Sequence, residues 1–238
     1  MYKRQILAGP GYIEDVLLEK RFRIAPQAFY QVNRKQTEVL YRKVRELAAL
    51  SGRERVLDLY CGIGTIGLTL AGGCRALTGV EIVPEAIENA KENARLNRAE
   101  NVRFVCGDAA KEMKKIIRRT KIDAVVVDPP RTGLDGAMIE SLRQCQPKQI
   151  VYISCNPATL GKNLKELRDL YEVKTVIPFD MFPNTPHVET VVLLSKLKTK
   201  KHVDIELHAD EVDLTSSESK ATYNNIKQYG FDKYGFNV

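Results

Sequence analysis

Residues 55–67 read RVLDLYCGIGTIG. A short β-branched run ends near Asp58, glycines follow at 62, 64 and 67, and a helix-forming stretch begins at once. Glycine belongs where a chain turns sharply, or where backbone must approach a ligand with no Cβ in the way. Strand, glycine turn and helix in that order build the ligand corner of an open α/β sheet. A lone glycine pattern is a weak signal, so the residues around it have to decide what the corner holds.

Outward from this corner, from Arg53 to Leu197, short β-branched runs alternate with amphipathic stretches. Strands are expected at 55–60, 76–82, 101–107, 123–128, 149–154, 171–180 and 187–197. Helices are expected near 65–72, 84–97, 108–118, 136–145 and 157–170. Such alternation predicts a mostly parallel sheet covered on both faces. Only PNTP (183–186) and its flanks separate the last two strands, too little for a parallel crossover, so they pair antiparallel at the sheet edge. Seven strands ending in an antiparallel edge hairpin are the arrangement of the Rossmann-like class I methyltransferases. Ahead of this unit, 36–52 reads as a helix closed by Gly52, whereas the first twenty residues show no start of a domain of their own.

The glycine corner carries two acids that sharpen it. Asp58 precedes the glycines, and Glu81 ends the second strand, where a carboxylate accepts both ribose hydroxyls of a nucleoside cofactor. A dinucleotide would share this layout. The D-x-x-x-G-x-G form, with Gly62 and Gly64, favours S-adenosylmethionine (SAM), whose cationic groups suit acidic neighbours better than a pyrophosphate does. Asp108, after the third strand, fits a contact to the adenine edge and also fits a helix N-cap.

Two further strand ends carry chemistry. VVVDPPRTG (125–133) brings Asp128 into the crevice at the carboxyl end of the fourth strand. The two prolines fix the turn and remove two N–H donors, leaving carbonyls free to face a substrate, and Arg131 offers a fork for phosphate or a base edge. A purely structural D-P-P turn is the alternative. VYISCNPATL (151–160) lifts Cys155 to the lip of the neighbouring strand. There the helix after Asn156-Pro157 would lower a thiol pKa and make a reactive thiolate; the alternative is an inert, buried cysteine. DMFPNTPHVETVVLL (180–194) sets His187 and Glu189 at the start of the last strand. Partial desolvation there raises a carboxyl pKa toward that of a useful base, while His187 reads as a structural hydrogen-bonding residue and a Cys–His pair as a minor option.

Composition sets the bounds. The chain has 238 residues, is 44% hydrophobic and 28% charged, and holds no apolar run near the ~18 residues that span a bilayer. With no secretory signal pattern either, the cytoplasm is the expected location. Five cysteines without a CxxC pair, far from the three histidines, give neither a disulfide framework nor a metal site. The net charge is +7, yet residues 200–238 hold 5 Lys and Arg against 7 Asp and Glu, so the body is more basic than the whole. A basic body suits a polyanion such as RNA, and equally a soluble protein that happens to be basic. In the tail, Thr215 to Glu218 fits a capping box ahead of a helix.

FYQVN, DLYCGIG, DPPRTG, SCNPATL and DMFPNTPHVE, in this order, closely resemble the RNA uracil-5-methyltransferases of transfer and ribosomal RNA. The resemblance covers roughly residues 20–197. It implies SAM as donor and S-adenosylhomocysteine as product, with Gln31, Tyr60, Thr65, Glu81 and Asp128 at cofactor positions and Asp108 lining the same pocket. It implies Cys155 as the nucleophile and Glu189 as the base. Pro129, Arg131 and Asn156, in the two turns, are the expected contacts of the substrate base. RNA, ribosomal rather than transfer, is the expected partner, with no membrane and no obligate protein partner. Relatives carry Arg-Asp where this chain has Gly161-Lys162-Asn163, and most have an N-terminal RNA-binding region. Residues 1–33 are therefore expected to be a remnant of that region with a cofactor-contacting segment, 34–199 the catalytic domain, and 200–238 a tail without an assigned role. Two rivals stay open: an exocyclic-amine nucleic-acid methyltransferase, which needs no cysteine, and a SAM-binding module inactive on its own.

Overall fold

A computed structural model of the chain describes residues 9–197. The capping box at 215–218 lies outside these residues.

The seven expected strands form one sheet. They are β3 (Arg55–Leu59), β4 (Ala76–Glu81), β5 (Val102–Cys106), β6 (Ala124–Val127), β7 (Gln149–Ser154), β8 (Tyr171–Phe179) and β9 (Glu189–Lys196), in the order β5-β4-β3-β6-β7-β9-β8. The first five run parallel, and β9 lies antiparallel to both β7 and β8. The order reverses between β3 and β6, which opens the crevice where ligands bind in such sheets. This is the class I methyltransferase topology expected from the sequence.

Strand alternation divides the core into two layers. Val56, Val126, Val151, Ile153 and Val191 face one side, against α1 (Arg34–Ala48) and α2 (Thr65–Leu70). Leu57, Leu59, Val125, Val127, Tyr152 and Val192 face the other, against α4 (Ala109–Ile117), α5 (Gly136–Cys145) and α6 (Pro157–Leu167). Local chemistry sets where the helices start. Asn33, Asp108, Asp135 and Asn156 each accept a backbone N–H of the first turn, and α3 (Pro84–Leu96) and α6 begin with proline.

The structure differs from the sequence reading at two places. α1 ends four residues before Gly52: Ala49 takes the left-handed cap (φ 40°), while Gly52 turns the loop beyond it (φ 86°). The second difference is a hairpin that the sequence reading leaves without an element. β1 (Ile13–Leu17) and β2 (Lys20–Ile24) pair antiparallel, and Leu17, Phe22 and Ile24 are buried in the first core layer. Through these three residues the hairpin shares its core with the seven-stranded sheet.

α3 supplies the partners for the free edge of β2. The Arg21 N–H donates to Asn97 Oδ1 (2.9 Å), that of Arg23 to Asn93 Oδ1 (2.8 Å) and that of Ala25 to Asn89 Oδ1 (3.1 Å). In return Asn97 Nδ2 donates to the Arg21 carbonyl, and Asn89 and Asn93 both donate to that of Arg23. Every second strand residue advances about 6.8 Å and every fourth helical residue about 6.0 Å, so the two rows stay in step for three rungs.

Candidate functional site

The site is built at the carboxyl ends of β3, β4, β6 and β7. Tyr60, at the end of β3, holds φ 64°, a conformation that bulky residues rarely adopt and that clusters at functional sites. Gly62 and Gly64 then continue the turn at φ 53° and 82°. Gly67 permits a close approach: a Cβ there would stand 2.7 Å from Asp58 Oδ2, the oxygen that accepts the Gly67 N–H at 2.9 Å. Asp58 is fully buried under the loop and its Oδ1 has no hydrogen-bond partner among the described residues, so its carboxyl acts on the loop backbone from below. Burial pushes its pKa up to about 7; the Gly67 N–H lowers it and the Glu81 charge adds to the rise.

Glu81 is fixed through both oxygens, Oε2 accepting the Gly62 N–H (3.2 Å) and Oε1 that of Val83 (2.9 Å). Each oxygen keeps a lone pair for a ligand hydroxyl. A cavity of about 160 Å³ opens here, lined among others by Tyr60, Glu81, Ile82, Asp108, Pro130 and Thr132. Asp108 both lines it and caps α4, accepting the Lys111 N–H at 2.9 Å. Thr65, at the start of α2, shares a hydrogen bond with the buried Tyr41 hydroxyl (3.1 Å). Gln31 is half-buried in the coil before α1, and the nearby Asn33 Nδ2 donates to the Met181 carbonyl (3.1 Å), joining this coil to the β8–β9 connection.

Antiparallel β9 brings in the remaining acid. Its first residues lie beside the last of β7, with Ser154 opposite Thr190, so Glu189 enters next to the strand end that carries Cys155. Glu189 is 6% exposed. Its pKa is raised by burial, with Arg131 opposing the rise. Asp128 is pushed up to about 8, first by burial and then by the Glu189 and Asp58 carboxylates. The half-buried Cys155 thiol is raised as well, by burial and then by Glu189 and Asp128, with Arg131 opposing. This direction is opposite to the expected lowering by the helix: desolvation, and then the two acids, outweigh the helix end.

The two chemistry-bearing turns are fastened together by α6. Asn156 Oδ1 caps this helix, accepting the Ala158 N–H (3.0 Å), and Nδ2 donates to the Arg131 carbonyl (3.2 Å), which Thr159 Oγ1 also reaches (3.2 Å). The amide expected to meet the substrate base is thus engaged with both turns. The next turn of α6 carries Asn163, buried at 3% exposure. Its Oδ1 accepts the Leu134 N–H (2.8 Å) and the Tyr152 hydroxyl (2.9 Å), and its Nδ2 donates to the Leu134 carbonyl (2.9 Å). Pro129 is buried and the Arg131 side chain is exposed. His187 is exposed, its ring edge-on to Phe182 at 6.4 Å.

Sequence reasoning missed Tyr41, Asn93 and the partners of Asn163. The asparagines had a signal in their spacing, at 89, 93 and 97 along one helix face, and Asn93 also donates to the Ile63 carbonyl (3.2 Å), tying β2 to the glycine loop. Tyr41 had none, because its partner is distant in sequence.

The residues present fit an adenosyl cofactor with a cationic sulfonium. A fixed carboxylate stands at the second strand end, a capping aspartate and an exposed apolar Ile82 (64%) flank the cavity, and an unpartnered buried carboxyl oxygen lies beneath the loop. Fold and site together define a SAM-dependent methyltransferase domain. A family model described as tRNA (uracil-5-)-methyltransferase matches residues 2–197, and the chain belongs to this family. It is 48% identical over 193 residues to an RNA methyltransferase of Enterococcus faecalis, covering 80% of this chain and 42% of that one. It is 50% identical over 194 residues to one of Halalkalibacterium halodurans, covering 81% and 42%. Among solved structures, the Pyrococcus abyssi tRNA (uracil-54, C5)-methyltransferase in complex with S-adenosyl-L-homocysteine superposes with a TM-score of 0.67 at 35% identity, covering 79% and 45%. The chain therefore spans less than half the length of these relatives. Among the described residues no helix is long and apolar enough to cross a membrane.

Proposed function

We propose that this domain methylates C5 of a uridine in RNA, with Cys155 as nucleophile and Glu189 as base. The observation that supports this reading most is the placement of a half-buried thiol, a buried glutamate and Asp128 at adjoining strand ends, with the charges of Glu189 and Asp128 both acting on the thiol and that of Glu189 on Asp128. Uracil C5 is too weak a nucleophile to take a methyl group unaided. Glu81, Asp108, Tyr60, Thr65 and Gln31 would hold SAM, which when bound would supply an electrophilic methyl group. Cys155, once deprotonated, forms a bond to C6, and the ring's electrons then make C5 the attacking atom. With the methyl in place, Glu189 takes the C5 proton, the C6–S bond breaks and the thiolate is restored. Asp128 and the Pro129–Arg131 turn hold the extruded base against these groups.

Ribosomal RNA is our expected substrate class, the reaction being read on both ribosomal and transfer RNA. The deciding experiment uses RNA in which 5-fluorouridine replaces uridine: fluorine cannot leave C5 as a proton does, so a methylated covalent complex accumulates. We expect an adduct mapped to Cys155 and its loss in Cys155→Ala, with SAM affinity changed less than about threefold. RNA binding and methylation without any adduct would instead favour transfer to an exocyclic amine, which the D-P-P turn also suits.

A further inference from the structure

The described residues carry their densest positive charge away from the site just described. Between 111 and 121 stand six Lys and Arg (Lys111, Lys114, Lys115, Arg118, Arg119, Lys121) against a single acid, Glu112. An exposed helix face is ordinarily solvated and balanced by acids one turn away, and α1 and α3 show that pattern in Arg42–Glu38, Lys43–Glu46 and Lys91–Glu88. Among the described residues only Lys115 has such a partner, Glu112 (2.6 Å); Asp123, whose charge Lys121 also meets at longer range, is held by Lys148 and the Arg55 N–H. Five cations are left without an ion pair among the described residues.

Their arrangement is that of a track with an end. Met113 and Ile116 bury the inner face of α4, so Lys111, Lys114, Lys115 and Arg118 fall together on the outer one. α4 is capped at its start by Asp108, on the rim of the cofactor cavity, and at its end by Arg118, ten residues on and about 15 Å along the helix axis. There the surface opens into a shallow cavity of about 510 Å³ lined by Arg118, Arg119, Thr120, Lys121 and Gln144. Two guanidiniums, an ammonium, a hydroxyl and an amide are donors with the geometry and charge for a phosphodiester, and arginine forks suit one bidentately.

We infer that the outer face of α4 and the 117–122 cavity form a second RNA contact, gripping phosphates of the substrate strand outside the catalytic crevice. The inference rests on the RNA reading above and adds to it a surface with a defined path. The contact carries no base specificity and acts through phosphate charge, so its signature is the dependence of affinity on salt.

The test measures binding of the whole chain to a fluorescein-labelled, mixed-sequence hairpin RNA by anisotropy, over a series of KCl concentrations. Arg118→Glu/Arg119→Glu is expected to weaken binding about 10- to 100-fold at low salt and to reduce the log–log salt slope by about two. Arg118→Gln/Arg119→Gln should give a smaller loss in the same direction. SAM affinity, measured by calorimetry, should stay at the wild-type value in both and so report intact folding. Arg42→Glu/Arg45→Glu changes net charge equally on another face and should leave the slope near the wild-type value. Equal weakening by this control, or unchanged RNA binding after charge reversal at 118 and 119, overturns the inference. A wild-type chain that binds poly-glutamate but no RNA overturns both the inference and the RNA reading, and is told apart because it needs no variant.

Discussion

Replacing Asn163 with alanine tests how the two turns of the site are held. The change leaves three polar groups without their partner: the Leu134 N–H, the Leu134 carbonyl and the Tyr152 hydroxyl. Tyr152 and Leu134 are 0% and 5% exposed, so bulk water does not replace what is lost. Each orphaned buried group costs about 1–3 kcal/mol, and water entering the vacated amide space recovers part of it, so we expect a total of about 3–5 kcal/mol. That corresponds to a fall in Tm of roughly 10–15 °C for a domain of this size. Tyr152→Phe alone removes one donor while Asn163 Oδ1 keeps Leu134, at a cost of about 1 kcal/mol. In the Asn163→Ala background the hydroxyl is already orphaned, so adding Tyr152→Phe should cost nothing or stabilise slightly, giving a coupling of about 1–2 kcal/mol. Urea denaturation followed by circular dichroism measures all four chains, the sequence having no tryptophan to report by fluorescence. A loss below about 1 kcal/mol for Asn163→Ala, or the same cost for Tyr152→Phe in both backgrounds, would refute the reasoning.

Three further outcomes are expected. Glu189→Gln should still form the Cys155–C6 bond and transfer the methyl group, but release product slowly, so a covalent complex with ordinary uridine RNA accumulates on denaturing gels; rapid turnover would remove Glu189 from the role of base. Asp58 and Asp128 bind protons more tightly in the folded chain, with pKa values near 7 and 8, so their contribution favours folding at low pH and is lost as pH rises from about 4 through 8. Asp58→Asn should therefore narrow the difference in stability between pH 5.5 and pH 8.5 by about 2 kcal/mol, and a difference equal to the wild type would contradict the burial of an ionisable carboxyl there. Asn93→Ala should free both the Arg23 rung of the hairpin edge and the Ile63 carbonyl of the glycine loop, weakening SAM binding several-fold as measured by calorimetry; unchanged affinity would show the loop to be held without it.

Much of this domain is legible in one dimension because its signals are local. A parallel sheet buried on both faces needs apolar runs separated by helices, so strand and helix positions read directly from periodicity. The short β8–β9 link allows only an antiparallel return, which fixes the edge of the sheet from local sequence alone. Residue types at strand ends mark the candidate site in the same local way: glycines at 62 and 64, acids at 58, 81, 108 and 128, a thiol at 155 and a glutamate at 189.

Pairing between distant segments decided the rest. The hairpin at 13–24 is short and carries exposed Ile13 and Val16, so its pattern names no buried face; it is stable because a helix some seventy residues later offers asparagines in step with its edge. Asn163 looked like a departure at the end of a motif, and three dimensions turned it into the fastening between Tyr152 and Leu134. Cys155 shows the division most plainly. Its place at a strand end follows from sequence alone, but its raised pKa comes from burial and from two carboxylates that only the assembled sheet brings beside it. Charge acts through space, and the spacing belongs to the fold.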